Sequence, residues 1–307
     1  VIEGSYQGFD LEVRPDGVGL VTFNRPERLN AMSFGTKRDL SEMLTLAQFD
    51  DALRVLVITG SGRGFVAGVD NKRTDDPEPP SISNEPSPHR KAPISTYERL
   101  HHFAQEPIRA LRRLDKLTIA AVNGYAIQLG LSIVLACDFA VAGRSARLGS
   151  ATLRMGWQPD EGGHWLLVEH LGVKRALDFM LRKAIVDGEE AHRLGLVTEV
   201  VDDDQVLERS LALAAEFASG PQVSIRLLKR AVYNAASLSF DQAGDDIATK
   251  TAISDFHTDA KAGSEAFFAR RTPKFNEWLN EEGDLWGQRD VFGAASRSSP
   301  DEEVPDR

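Results

Sequence analysis

Two segments of this chain follow one plan, and the plan restricts the folds open to it. Residues 55–59 (VLVIT) and 117–123 (LTIAAVN) are short, almost wholly apolar runs rich in β-branched residues. A strand with one wet face alternates polar and apolar positions, whereas an unbroken apolar run marks a buried strand. Each run enters a glycine-containing bend, at 60–64 and at 124–126, and then heads toward a helix start. A third run, 138–142 (DFAVA), follows an apolar helix at 129–137. Short apolar strands alternating with helices indicate an α/β architecture.

The rest of the chain fits around that core. Residues 11–14 and 18–24 read as strands about the turn Pro15-Asp16-Gly17. Leu40, Met43, Leu44 and Ala47 recur at helical spacing within 34–50. A helix is expected over 96–113, interrupted near Pro107. From about residue 204 only helices are expected, at 207–217, 223–235, 240–254 and 259–271, the last followed by Pro273. The organisation is thus a core over 1–203, a helical region over 204–287 and a Ser-, Asp-, Glu- and Pro-rich tail over 288–307 that reads as disordered. Residues 71–96 carry six prolines and no apolar periodicity. They read as a long mobile loop, either a lid or a surface excursion.

Composition excludes several function classes. The 307 residues are 42% hydrophobic and 27% charged, with a net charge of −10 and a pI near 5.3. An acidic balance argues against nucleic acid or an anionic membrane as partner, and an anionic ligand would need a local basic patch. The single cysteine, Cys137, cannot form an intrachain disulfide and reads as a small buried apolar residue. Residues 1–16 lack the pattern of a secretory signal, and no apolar run approaches the ~20 residues of a membrane span. A soluble, cytoplasmic protein is expected. There is no metal-ligand spacing, P-loop or nucleotide-binding fingerprint.

The glycine bends are where chemistry can sit. Helix N-termini leave free N–H groups and carry partial positive charge. Two such groups aimed at one point form an oxyanion hole, which contributes several kcal/mol to catalysis. Here the residues carry a likeness. Asn24-Arg25-Pro26-Glu27-Arg28-Leu29-Asn30-Ala31 resembles the NRPxxxNA signature of the enoyl-CoA hydratase/isomerase (crotonase) family. Residues 65–70 (FVAGVD) are similar to its first oxyanion segment, and 121–126 (AVNGYA) with Ala136-Cys137-Asp138 to its second. Leu194-Gly195-Leu196-Val197 with Glu199-Val200-Val201 matches a further stretch, so the likeness runs in order from about Phe9 to Leu279.

The resemblance implies a crotonase-like spiral of ββα units with a C-terminal helical trimerisation region, assembled as a homotrimer or a dimer of trimers. It implies an acyl-CoA thioester substrate whose carbonyl is held by the N–H groups of Val69 and Leu129. Coenzyme A enters as part of the substrate, with no separate cofactor and no metal. The nucleotide and pantetheine are expected near Arg28, Leu29, Ala31, Ala67 and Asp70. Lys274 and Phe275, in the basic stretch 270–275, either reach the nucleotide of a neighbouring subunit or form a solvated helix end.

The chain also departs from that pattern. Leu129 stands where the oxyanion glycine would be, and its side chain is expected to narrow the approach. Ser132 and Thr152 stand where the two hydratase glutamates would be. Neither supplies a base near neutral pH, and adding water across a double bond needs a base and an acid. Asp160 or Glu161, in Pro159-Asp160-Glu161-Gly162-Gly163-His164, is the candidate substitute carboxylate. Divergent branches, the dienoyl-CoA isomerases and 4-chlorobenzoyl-CoA dehalogenases, have a catalytic aspartate at the position of Asp160. The β-diketone hydrolases have one at the position of Glu161. The structural alternative is that Asp160 caps the next helix. His164 is expected to pack rather than catalyse, and His101 and His102 have no motif support. Trp157 and Trp165 either shape the acyl pocket or pack. The expected activity is hydration or isomerisation of an enoyl-CoA. The alternatives are a C–C bond hydrolase of the β-diketone type and a non-catalytic acyl-CoA-binding protein.

Overall fold

The apolar runs form strands because both of their faces are covered. The computed structural model describes residues 2–70, 93–159 and 161–280. Its larger sheet takes β1 (Gly4–Tyr6), β2 (Phe9–Val13), β3 (Val18–Phe23) and β4 (Val55–Gly60), then skips to the strand at Leu117–Val122, the strand at Phe139–Gly143 and the strand at Glu199–Val201. The first two pairings are antiparallel, and every pairing from β3 onward is parallel. A smaller sheet begins with β5 (Gly64–Val66). The strand at Leu117–Val122 is therefore β6, and β7 (Tyr125–Ile127) pairs with β5. The strand at Phe139–Gly143 is β8, and β9 (Arg147–Gly149) pairs with β7. β10 (Ile185–Val186) closes the small sheet against β9, and Glu199–Val201 is β11.

Three times the chain leaves the large sheet, turns, and adds one strand to the small one: β4 to β5, β6 to β7, β8 to β9. The corners need glycine. A Cβ on Gly60 would lie 2.3 Å from the Gly64 carbonyl oxygen, and one on Gly124 would lie 2.1 Å from that of Arg63. This repeated step is the ββα spiral expected of the family.

Alternate residues of β4 show why its run is continuous. Val55 and Val57 face α8 (Val206–Ser219), in a cluster with Val206, Leu213, Ala214 and Ala218. Leu56 and Ile58 face the opposite way, into the main core with Leu40 and Leu44 of α1 (Phe34–Ala47). Every residue of β4 is buried. Truncating Ile58 to alanine would cost about 2–5 kcal/mol.

The main core also receives helices from the middle of the chain. α2 (Pro93–Arg99) passes through a π-helical turn at Leu100–Ala104 into α3 (Glu106–Arg113). The interruption expected near Pro107 is this turn, and Pro107 itself is accommodated in the first turn of α3, where no backbone donor is needed. The loop expected to run to residue 96 ends sooner, since α2 starts at Pro93. The remainder of that expectation, residues 71–92, lies outside the described residues, as does the tail at 288–307. α4 (Leu129–Ala136) is wholly buried, and α5 (Gly163–Leu171) packs across it, followed by α6 (Val173–Leu181) and α7 (Gly188–Leu194).

The helical stretch is α8, α9 (Gln222–Ala235), α10 (Phe240–Asp255) and α11 (Thr258–Phe268). A buried cluster ties α9 to the sheet. Asp138 accepts bonds from Lys229 Nζ at 2.7 Å, Tyr233 OH at 2.6 Å and the Thr118 N–H at 2.7 Å. Residues up to Asn276 form one compact unit, and Glu277–Asn280, a short 3-10 turn, belongs to a second. Among the described residues no helix is long and apolar enough to cross a membrane.

Candidate active site

The site forms where β5 and β7 end side by side. After β5 the chain bends at Gly68, and Val69 bridges Met32 in parallel fashion. Met32 donates to the Gly68 carbonyl at 2.9 Å, and Asp70 donates to the Met32 carbonyl at 3.0 Å. In that pattern the bonds belong to Gly68 and Asp70, so the Val69 N–H faces away from Met32. Val69 owes its orientation to this bridge and not to the first turn of a helix. Gly68 has φ +102°, and a Cβ there would stand 3.4 Å from the Ile127 carbonyl oxygen, which measures how closely the two segments approach.

The second N–H group, that of Leu129, follows β7. Gln128 donates its N–H to the Gly149 carbonyl at 2.8 Å, takes φ 52° and ψ −100°, and starts α4 at Leu129. Gly130 allows α4 to begin against β5, since a Cβ there would meet the Val66 carbonyl oxygen at 1.9 Å. Leu129 is thus the first residue of a helix, with its N–H free of the helical ladder. Its side chain is fully buried in the core and does not line the cavity. The expectation that it narrows the approach is corrected: Ile127 and Gln128 occupy that wall.

A cavity of about 640 Å³ opens over the two segments. Gly68, Val69, Gln128, Thr152 and Glu161 form one part of its lining, and Phe34, Phe103, Met155 and Trp157 an apolar part. Phe34 and Phe103 contact each other with ring centroids 5.3 Å apart. Glu161 is only 2% exposed, and its Oε2 accepts from Gln128 Nε2 at 3.3 Å. Gln128 Oε1 accepts in turn from Ser150 Oγ at 3.0 Å.

Ser132 lies beneath the start of α5, its Oγ 2.8 Å from where a Cβ on Gly163 would be. It does not line the cavity, whereas Thr152 does. Asp160 lies outside the described residues. The alternative role for it, capping α5, falls outside the described residues with it; the N-cap residue of that helix is Gly162. His164 is half-buried and does not line the cavity. Neither do His101 and His102, although the adjacent Leu100 and Phe103 do. Trp157 lines it, while Trp165 stacks beneath the Arg112 guanidinium at 5.0 Å.

The residues expected around the nucleotide are largely brought together. Arg28 and Arg25 clamp the Asp70 carboxylate at 2.6 and 3.0 Å. The Leu29 carbonyl accepts from the Ala67 N–H at 3.0 Å, and that of Ala31 from Arg25 at 3.2 Å. Asn30 locks the motif to the β4–β5 corner, donating to the Gly64 carbonyl at 2.7 Å. Ala67 and Asp70 line the cavity. Lys274 and Phe275 do not: Lys274 is exposed, and Phe275 lies over Gly263 of α11. The sequence reading missed Lys37, which is buried and lines the cavity, and gave no role to Gln128 or Ser150. A lysine in line with Leu40 and Leu44 on an otherwise apolar helix face was the available signal for the first.

Residues 14–278 match the family model described as enoyl-CoA hydratase/isomerase. The chain belongs to the enoyl-CoA hydratase/isomerase family. It is 35% identical over 260 residues to the 1,2-epoxyphenylacetyl-CoA isomerase of Escherichia coli, covering 84% of this chain and 95% of that protein. It is 39% identical over 230 residues to a probable enoyl-CoA hydratase of Mycobacterium bovis, covering 73% and 77%. Its structure aligns with that of an enoyl-CoA hydratase from Bacillus anthracis at a TM-score of 0.77 and 26% identity, over 88% of this chain and 99% of that one. The chain is therefore an acyl-CoA-processing enzyme of this family, with the family fold.

Proposed function

We propose that this enzyme isomerises an enoyl-CoA or related acyl-CoA thioester by moving a proton between two carbons of the acyl chain. The observation that carries the reading is Glu161, a buried carboxylate bonded to Gln128 on the wall of a cavity that Val69 also lines, where Ser132 and Thr152 offer no carboxylate. The Val69 and Leu129 N–H groups would accept the charge that develops on the thioester oxygen. Glu161 would remove a proton from the substrate carbon and return it to another carbon of the same chain. One group that takes and gives back a proton is sufficient for that exchange. Hydration also needs a water activated by a base. The name of the Escherichia coli relative supports an isomerase, and the aromatic lining suits a bulky or aryl acyl group.

Hydration is the second reading, favoured by the hydratase names among the relatives. A panel of 2- and 3-enoyl-CoA thioesters, including aryl-substituted ones, separates the two. Isomerisation changes conjugation and, in heavy water, places deuterium on the acyl chain without net uptake of oxygen. Hydration incorporates oxygen from labelled water. Glu161→Gln should abolish turnover while CoA-ester binding, read by calorimetry, persists. Full activity in Glu161→Gln would sink the assignment. Binding without turnover on any substrate would favour the non-catalytic alternative, and cleavage of a diketone lacking CoA would favour the hydrolase.

The same reading includes a homotrimer or dimer of trimers in a cytoplasmic setting. Leu228, Val232, Phe240, Phe256, Phe267 and Phe268 are exposed on α9 to α11 and its end, more apolar surface than a monomer usually leaves to water. Assembly through this face is the route by which Lys274 would meet a neighbour's nucleotide. Light scattering at several protein concentrations tests it.

A further inference from the structure

We infer that Gln128, set by Ser150, is a positioning residue whose side-chain amide orients the Glu161 carboxylate at the cavity wall. The inference rests on Glu161 being the base and adds how that base is held. Gln128 has φ 52° and ψ −100°, a region that side chains other than glycine avoid. Such strain persists where surrounding structure maintains it, and it concentrates at functional sites. The backbone here is held by two bonds, the Gln128 N–H to the Gly149 carbonyl at 2.8 Å and the Ser132 N–H to the Gln128 carbonyl at 2.9 Å.

What glycine could not supply is the amide. Ser150 Oγ donates to Gln128 Oε1 at 3.0 Å, which turns Nε2 toward Glu161 Oε2 at 3.3 Å. Ser150 and Glu161 are 3% and 2% exposed, so both ends of the relay are buried, while Gln128 between them is half-buried on the cavity wall. The amide orients the carboxylate and adds no charge of its own. An amide can also turn over, with the serine hydroxyl switching from donor to acceptor, so that Oε1 accepts from the protonated acid. The same pair then holds the base before and after proton transfer.

The test uses the full chain and the thioester turned over fastest in the enoyl-CoA panel. Gln128→Gly and Gln128→Ala both delete the amide, but only glycine relieves the backbone. Both should lower kcat by about 10²-fold with KM little changed, the scale of a misplaced catalytic group. Both should move the acidic limb of the pH–rate profile to higher pH, since the carboxylate loses a donor. The glycine variant should melt about 2 °C or more above the alanine variant. Ser150→Ala should fall in the same direction by about tenfold, and Ser150→Thr, which keeps the hydroxyl, should recover. Cavity-lining charges on other elements, Lys37 of α1, Asp70 and Arg99 of α2, are common to all the variants. The inference is overturned if Gln128→Gly keeps wild-type kcat and pH profile, or if only Gln128→Ala is impaired, which would trace the loss to the backbone. An active Glu161→Gln would instead overturn the base itself, so the two failures are distinct.

Discussion

Asp138 and Glu161 are both buried carboxylates, one bonded to a lysine ammonium and away from the cavity, the other reached by a glutamine amide on the cavity wall. Asp138 takes the Lys229 ammonium at 2.7 Å, the Tyr233 hydroxyl at 2.6 Å, and both the N–H and hydroxyl of Thr118 at 2.7 and 3.0 Å. It faces no cavity among those described. Burial lowers the pKa of Lys229 and raises that of Tyr233, and the charge of Asp138 works against the first and with the second. The cluster suits one protonation state only, and that makes it an anchor between α9 and the sheet. Glu161 takes an amide and opens on the cavity.

The largest effect that could break this contrast is on turnover. Glu161→Gln should reduce kcat by about 10²–10⁴-fold, the usual worth of a positioned acid or base. Its unfolding free energy should change by only about 1 kcal/mol, because an amide of equal size still bonds to Gln128. Asp138→Ala should do the reverse. Leaving Lys229 buried without its partner should cost about 3–5 kcal/mol of stability in urea titration, with activity per folded molecule unchanged. A catalytic defect in folded Asp138→Ala would erase the distinction.

This contrast was only half legible in sequence. β4 and β6 could be read because strands buried on both faces are apolar throughout. α8 to α11 could be read because amphipathic spacing persists over several turns. β5, β7 and β9 are three residues each, too short for any periodicity to register, and they are the strands that carry the site. Glu161 was reachable from its motif neighbours. Gln128 was not, because its role depends on a positive φ and on Ser150, 22 residues away in sequence. Lys229 and Asp138 lie 91 residues apart, and nothing local marks either as half of a pair.

Lys116 sharpens the comparison from the side of a cation. It is 1% exposed, and its Nζ donates to the Ala47 and Asp50 carbonyls, with no carboxylate in contact. Burial, followed by the charge of Arg226, lowers its pKa to about 8 against the opposing pull of Asp51 and Asp50. The folded pKa is below the unfolded one. Its favourable contribution is therefore complete above the unfolded value near 10.5 and is lost as pH falls through about 8. Between those limits unfolding free energy should rise with pH by on the order of 1 kcal/mol per unit from this group. Urea titrations of the wild type and Lys116→Met across pH 7–10 isolate it, and the variant should lack that part of the slope. Equal slopes would mean that Lys116 stays protonated over this range.

The smallest effect concerns a third carboxylate, Asp70, which is nearly buried but held by two guanidinium groups that are each about a quarter exposed. Arg28→Met leaves Arg25 in place, so the anion keeps one cation. Exposed partners are screened, and the loss of stability should stay below about 1 kcal/mol. Arg28 would still matter to ligand binding if the nucleotide of CoA rests on this rim, since it brings positive charge to an otherwise acidic protein. CoA affinity measured by calorimetry should then weaken severalfold in Arg28→Met, and the wild-type advantage should shrink as salt is raised. An affinity unchanged at low salt would reduce the Arg25–Arg28–Asp70 cluster to an anchor like Asp138, even though Asp70 lines the cavity.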